Sequence, residues 1–169
     1  MNRSIFTVAK RAYTASSGRM FAAAEPATAS SSSLVINFCT PYAPIMSDKV
    51  VDKVIIPGED GEYGVTAGHS PMISQLKPGI VTVMHLNGES VKYFVSGGFS
   101  ITHKDSAVTD ISVPEAVALA DLDENAIKAG FAESTRAASS AADGSMAKAV
   151  AQIEVNTYSA MARAIGLAL

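Results

Sequence analysis

Cysteine is nearly missing from this chain: Cys39 stands alone among 169 residues. One thiol forms no internal disulfide, so the fold does not depend on an oxidising compartment. In its apolar setting Cys39 reads as a small core residue. Long apolar runs are missing too. No stretch stays apolar over the roughly 18–20 residues that a membrane-spanning helix needs. Catalytic motifs are equally scarce. The histidines, His69, His85 and His103, fall in three separate segments, none with a second ligand at metal spacing. Ser70 adjoins His69, but sequence neighbours rarely face one another, and no nucleophile elbow surrounds Ser70. Ser96-Gly97-Gly98 lacks the following helix and the lysine of a phosphate cradle, so it reads as a bulge or tight bend. No glycine pattern matches a P-loop or a dinucleotide fingerprint. The carboxylate pairs Glu59-Asp60 and Asp123-Glu124 sit at a turn and at a helix start, where exposure explains them. These absences leave no catalytic residue, no metal site and no cofactor.

Charge is unevenly spread, and the N-terminal head lacks acid altogether. Residues 1–24 carry Arg3, Lys10, Arg11 and Arg19 without a single carboxylate, hence +4, while the remainder sums to −7. An acidic body argues against nucleic acid as a partner, because phosphate recognition needs Lys and Arg to replace counterions. The basic head, residues 1–21, is rich in Ser and Thr, and Ile5, Val8 and Ala9 can share one helical face. That is the composition of an organellar transit peptide, and Lys10-Arg11 interrupts the apolar core a secretory signal would require. Arg11-Ala12-Tyr13 and Arg19-Met20-Phe21 each place Arg two residues before an aromatic, like a mitochondrial processing site. Residues 22–33 are Ala, Ser and Thr besides Glu25 and Pro26, a flexible leader that holds no core former.

From Leu34 the pattern turns to period two. Strands are expected over Leu34–Thr40, Val50–Ile56, Glu62–Thr66, Ile80–Leu86, Ser90–Ser96, Phe99–His103 and Ala107–Val113. Asn87-Gly88 is a strong hairpin signal between two of them. Short strands at spacings of about 8–12 residues argue for an antiparallel sandwich or barrel over residues 34–120.

Residues 121–169 change character again. They are rich in alanine and contain no proline. Asp121-Leu122-Asp123-Glu124 reads as a capping box with Asp121 at the cap. Ile127, Phe131, Ser134 and Ala138 share one helical face. Asp143-Gly144 breaks the run, and Ser145 can cap a second helix whose stripe is Met146, Val150, Ile153, Thr157, Ala160 and Ala164. So short a connection makes the two helices antiparallel. Their alanine faces bury little, so the hairpin needs the sandwich or a partner.

The stretch from Pro57 to Gly79 holds five glycines and three prolines. It is a run of tight turns between short strands, and chemically it is inert. Its motifs nevertheless carry a resemblance. Gly61-Glu62-Tyr63-Gly64, Gly68-His69-Ser70-Pro71, Leu76-Lys77-Pro78-Gly79, Val95-Ser96-Gly97-Gly98 and Asp121-Leu122-Asp123 resemble, in order and spacing, the F-type ATP synthase subunit called epsilon in bacteria and chloroplasts and delta in mitochondria. The match runs from about Leu34 to the C-terminus, and the transit-like head selects the mitochondrial form.

The resemblance implies a ten-stranded β-sandwich followed by an antiparallel helical hairpin. It implies a non-catalytic rotor subunit at the foot of the central stalk, on the matrix side of the mitochondrial inner membrane. Such a subunit joins gamma to the c-ring, holds the small mitochondrial epsilon subunit, and couples proton flow to ATP synthesis. Carried over residue by residue, it marks Glu62, Gly64 and His69 as interface positions toward the c-ring and gamma. One feature departs from the bacterial relatives that bind ATP. Their Leu-Asp-x-x-Arg-Ala pattern reads here Leu122-Asp123-Glu124-Asn125-Ala126-Ile127, with Ala126 in place of the arginine, so no nucleotide site is expected. The competing readings are an organellar β-sandwich binding module outside the ATP synthase and a small enzyme using His69.

Overall fold

The computed structural model describes residues 33–104 and 106–169. The transit-like head and the leader up to residue 32 lie outside them. Ten strands come first: β1 (Leu34–Cys39), β2 (Pro44–Val51), β3 (Lys53–Gly58), β4 (Gly61–Thr66), β5 (Met72–Leu76), β6 (Gly79–Met84), β7 (Ser90–Val95), β8 (Gly98–Thr102), β9 (Val108–Ser112) and β10 (Ala116–Ala118). A 3-10 turn, Leu119–Asp121, leads into α1 (Glu124–Ser140) and α2 (Met146–Ala164). The expected sandwich of about ten strands and its helical hairpin are both present.

The strands form one sheet that curls over itself, in the order β10-β7-β6-β3-β5-β8-β9-β1-β2, with β4 on the free side of β3. All pairs are antiparallel except β1 with β9. Alternation places every second residue inside. Leu34, Ile36 and Phe38 from β1 meet Val54 and Ile56 from β3, Val81 and Val83 from β6, and Ile111 from β9 in one core. Each such side chain contributes about 1.5–3 kcal/mol on burial. Phe38 meets Tyr93 across the layers, edge to face, at 5.5 Å between ring centres. Gly98 closes the bend after β7. Its φ is 134°, and a Cβ there would strike the Ser112 carbonyl and Val113, so no other residue fits.

Three strands escape sequence reasoning: β2, β5 and β10, the last only three residues long. By sequence Pro41 and Pro44 end β1, yet Pro44 opens β2. An edge strand tolerates proline at its first position because the missing N–H faces solvent. The run Val50–Ile56 is therefore two strands, parted at Asp52. Strand β5 lies hidden between Pro71 and Pro78. Cys39 is half-buried, because it falls on the outward parity of β1, so it is not a core residue.

The hairpin corrects two further expectations. The cap of α1 is Asp123, whose carboxylate accepts from the amides of Asn125 and Ala126, and not Asp121. Asp121 is spent in the 3-10 turn, so the helix starts two residues later. Ser145 caps α2 as expected, accepting from the Lys148 amide at 3.2 Å. The α1 face holds, with Ile127 and Ser134 buried. The α2 stripe does not: Met146, Val150 and Ile153 are 80%, 46% and 64% exposed, and the buried residues are Ala151, Ala160 and Ala162. Tyr158 lies directly on Gly130 of α1. Small residues make this seam because they let the helices approach closely, so counting bulky side chains points to the wrong face. Only the C-terminal part of the expected stripe, Ala160 and Ala164, comes near the sandwich, beside Ile80 of β6.

Candidate interface at the sandwich tip

The turn Glu59-Asp60 between β3 and β4 forms one tip of the sandwich. It borders a depression of about 580 Å³ lined by residues that include Glu62, Tyr63, His69 and Ile73. Glu62 and His69 are thus brought together, from β4 and from the loop that follows it. Glu62 is exposed, while the His69 ring is turned back so that Nδ1 lies 2.8 Å from the Ser70 carbonyl oxygen. Gly64 lies on the same exposed side of β4, two residues past Glu62. Its φ is not in the left-handed range, and a Cβ there would meet nothing within 4 Å. Gly64 therefore serves no turn and fills no crowded position among the described residues. Glu62 also borders a second groove of about 420 Å³, where Pro57, Lys77 and Ile80 face Ala160 and Arg163 of α2.

A second feature adjoins the tip. Strand β8 is built inside out. Its polar residues Ser100 and Thr102 are buried, whereas Phe99 and Ile101 are 55% and 39% exposed. The buried hydroxyls are satisfied: Ser100 Oγ lies 2.6 Å from Tyr63 Oη, and Thr102 Oγ1 lies 3.2 Å from Thr109 Oγ1. The register with β5 sets Ile73 against Ile101 and Gln75 against Phe99. Ile73 is 75% exposed, so Ile73, Ile101 and Phe99 make a contiguous apolar patch on the outer face. Sequence reasoning missed these three residues. The available signal was the Phe-Ser-Ile-Thr alternation of β8, whose apolar parity does not by itself say which face is inside.

Nothing in this region is arranged for bond making. Among the described residues no cluster of His, Cys, Asp and Glu can hold a metal ion. Also among them, no helix is long and apolar enough to cross a membrane. An exposed apolar patch beside a polar tip is what a docking surface requires.

Comparison with known proteins gives the context. The family described as ATP synthase, Delta/Epsilon chain, beta-sandwich domain matches residues 33–118. The mitochondrial ATP synthase subunit delta' of Ipomoea batatas is 43% identical over 147 residues, covering 86% of this chain and 72% of the relative. The ATP synthase F(1) complex subunit delta, mitochondrial, of Dictyostelium discoideum is 38% identical over 151 residues, covering 89% of this chain and 87% of the relative. Among solved structures, a chain of the Euglena gracilis mitochondrial ATP synthase, OSCP/F1/c-ring, shares the fold with a TM-score of 0.73 at 22% identity, covering 95% of this chain and 91% of that one. With a family match over more than half its length and relatives near two-fifths identity, the chain belongs to the delta/epsilon family of F-type ATP synthase subunits, as a mitochondrial and non-catalytic member of that complex.

Proposed function

We propose that this subunit works in the central stalk as the adaptor between gamma and the c-ring, turning with the rotor and making no bonds itself. The observation that carries this reading is the inside-out strand β8. Exposing Phe99 and Ile101 while burying Ser100 and Thr102 forgoes hydrophobic stabilisation in the free chain. That loss is recovered when a permanent partner covers Ile73, Phe99 and Ile101, which is the role we assign to gamma. The polar tip, with Glu62, Gly64 and His69, is assigned to the c-ring side. The exposed stripe Met146, Val150 and Ile153 of α2 is assigned to the small mitochondrial epsilon subunit. Residues 1–21 direct import, and the mature chain sits peripherally on the matrix side of the inner membrane. Ala126 at the position of the phosphate-binding arginine supports a subunit that binds no nucleotide.

The test is assembly. In detergent-solubilised mitochondrial membranes separated on a native gel, the chain is expected to migrate with gamma and the alpha/beta head. The Ile73→Asp, Ile101→Asp double variant should be lost from that band, while ATP hydrolysis by the released head persists. A variant that stays fully bound would remove the apolar patch from the interface. A cross-linker placed at position 62 should capture a c subunit; capture of gamma alone would reverse the assignment of the tip.

A further inference from the structure

Among the described residues, three strands of the sheet pair on one side only: β2, β10 and β4. An open edge is a template for unwanted pairing, and proteins usually blunt it. Two of these edges are blunted. Strand β2 starts with Pro44, breaks its register with β1 around Phe38, and carries Lys49 and the left-handed Asp48 (φ 46°). Strand β10 is only three residues long. Strand β4 has none of these devices. It is six residues long, its register with β3 is unbroken, and it contains no proline and no lysine.

The ladder shows which groups this edge presents. In an antiparallel pair, opposed residues alternate between those that exchange both backbone hydrogen bonds and those that exchange none. Gly58 and Gly61 close a two-residue turn, so they exchange bonds, as do Ile56 with Tyr63 and Val54 with Val65. The other side of β3 agrees: the Pro57 carbonyl accepts from Lys77 N–H, and Glu59 N–H donates to the Gln75 carbonyl. Odd-numbered β3 residues thus bond away from β4. It follows that Glu62, Gly64 and Thr66 aim their N–H and C=O groups outward. The Thr66 carbonyl is taken by His69 N–H. Among the described residues, the backbone groups of Glu62 and Gly64 have no protein partner. No side chain at Gly64 shields them, and a Cβ there would have had room. Glycine inside a strand costs stability and marks places where another backbone comes close.

We propose that the free edge of β4 takes an additional strand from a partner polypeptide, which exchanges backbone hydrogen bonds with Glu62 and Gly64. This deepens the docking role argued above and rests on it. Charge narrows the occupant. Exposed Glu59, Asp60 and Glu62 surround the turn end of the edge, so the added segment is extended and carries Lys or Arg at that end. The partner is a different protein and not a second copy, because this body is itself acidic.

Amide hydrogen exchange on the isolated chain and on the assembled ATP synthase tests this. In the isolated chain, the amides of Glu62 and Gly64 should exchange fast and those of Tyr63 and Val65 slowly. In the complex, Glu62 and Gly64 should slow by about tenfold or more, the effect of one net backbone hydrogen bond. If they stay fast in a complex that retains the chain, side-chain docking alone operates and the added strand is wrong. If they slow in the isolated chain as its concentration rises, the occupant is a second copy and the proposal falls. If the chain never joins the complex, the docking role falls with it.

A pair of variants gives an independent reading. Gly64→Pro deletes the outward donor without touching the ladder to β3, whereas Gly64→Ala keeps it. Retention in the complex should drop about tenfold more for the proline variant; equal retention overturns the proposal. Thermal melts report whether each variant folds, and if the proline variant does not, exchange in the unaltered chain decides.

Discussion

The sandwich and the hairpin are held together by different means. Inside the sandwich, Ile36, Phe38, Val54, Ile56, Val81, Val83 and Ile111 are fully buried, and they come from strands far apart in the sequence. The hairpin buries Ile127 and three alanines besides the satisfied hydroxyl of Ser134. Large branched side chains give the sandwich free energy that local structure cannot. Alanine gives the hairpin helix propensity and close approach, and little burial. The consequence is functional. On the function proposed above, the sandwich is the half that carries load between neighbours, and the hairpin leaves Met146, Val150 and Ile153 exposed for a partner to cover.

The largest test of this contrast is Ile111→Ala. It should cost about 2–5 kcal/mol, since the residue is wholly enclosed. Urea unfolding followed by tyrosine fluorescence would read it, and a loss below about 1 kcal/mol would mean the core is looser than its burial says. A smaller, local effect is expected from Asp123→Ala. Removing the carboxylate that accepts from Asn125 and Ala126 should cost about 1 kcal/mol of helix stability. Because α2 meets the sandwich only at its end, that loss should appear as faster proteolytic nicking of the hairpin, with the urea midpoint of the sandwich unchanged. A midpoint shift matching the full loss would show that the two halves unfold as one.

How much of this was legible follows from the same contrast. Period-two alternation with branched residues and punctuating Asn87-Gly88 and Gly97-Gly98 was enough to find most strands, because burial on one face enforces the pattern. It failed at β2 and β5, where proline marks an edge or a strand end instead of forbidding a strand, and at β10, whose three residues are too few to show alternation. It failed again on α2, where the packed face is written in alanine and the bulky residues Met146, Val150 and Ile153 stay exposed among the described residues. The tip was legible in part. Glu62 and His69 do share one depression, although they are seven residues apart. The patch of Ile73, Phe99 and Ile101 was not legible, because hydrophobicity in a strand reports that a face is covered and not by what.

The smallest expected effect concerns the outer face of the sandwich, where polar contacts replace burial. Asn37 on β1 donates from Nδ2 to Asp110 Oδ1 at 2.8 Å and accepts the Asp48 amide on Oδ1 at 2.8 Å. His103 Nε2 lies 2.7 Å from the other Asp110 oxygen. This chain ties β2, β1, β9 and the end of β8 together. Partial burial pushes the Asp110 carboxyl up, but the hydrogen bonds from His103 and Asn37, with the charge of His103, outweigh it and hold the group below its ordinary value. A folded-state value below the unfolded one means the carboxylate stabilises the fold at neutral pH. That stabilisation is fully present above the unfolded carboxylate value, about 3.9, and is lost as pH falls through the lower folded one. Both side chains of the His103–Asp110 pair are more than a third exposed, at 44% and 38%. Solvent screening therefore limits the contribution to about 0.5 kcal/mol. Asp110→Asn should be less stable than the unaltered chain by that amount at pH 7, with the difference closing in the acid limb. A difference that stays constant down to acid pH would assign the effect to hydrogen-bond geometry alone. The outer face would then be held, like the core, by shape and not by charge.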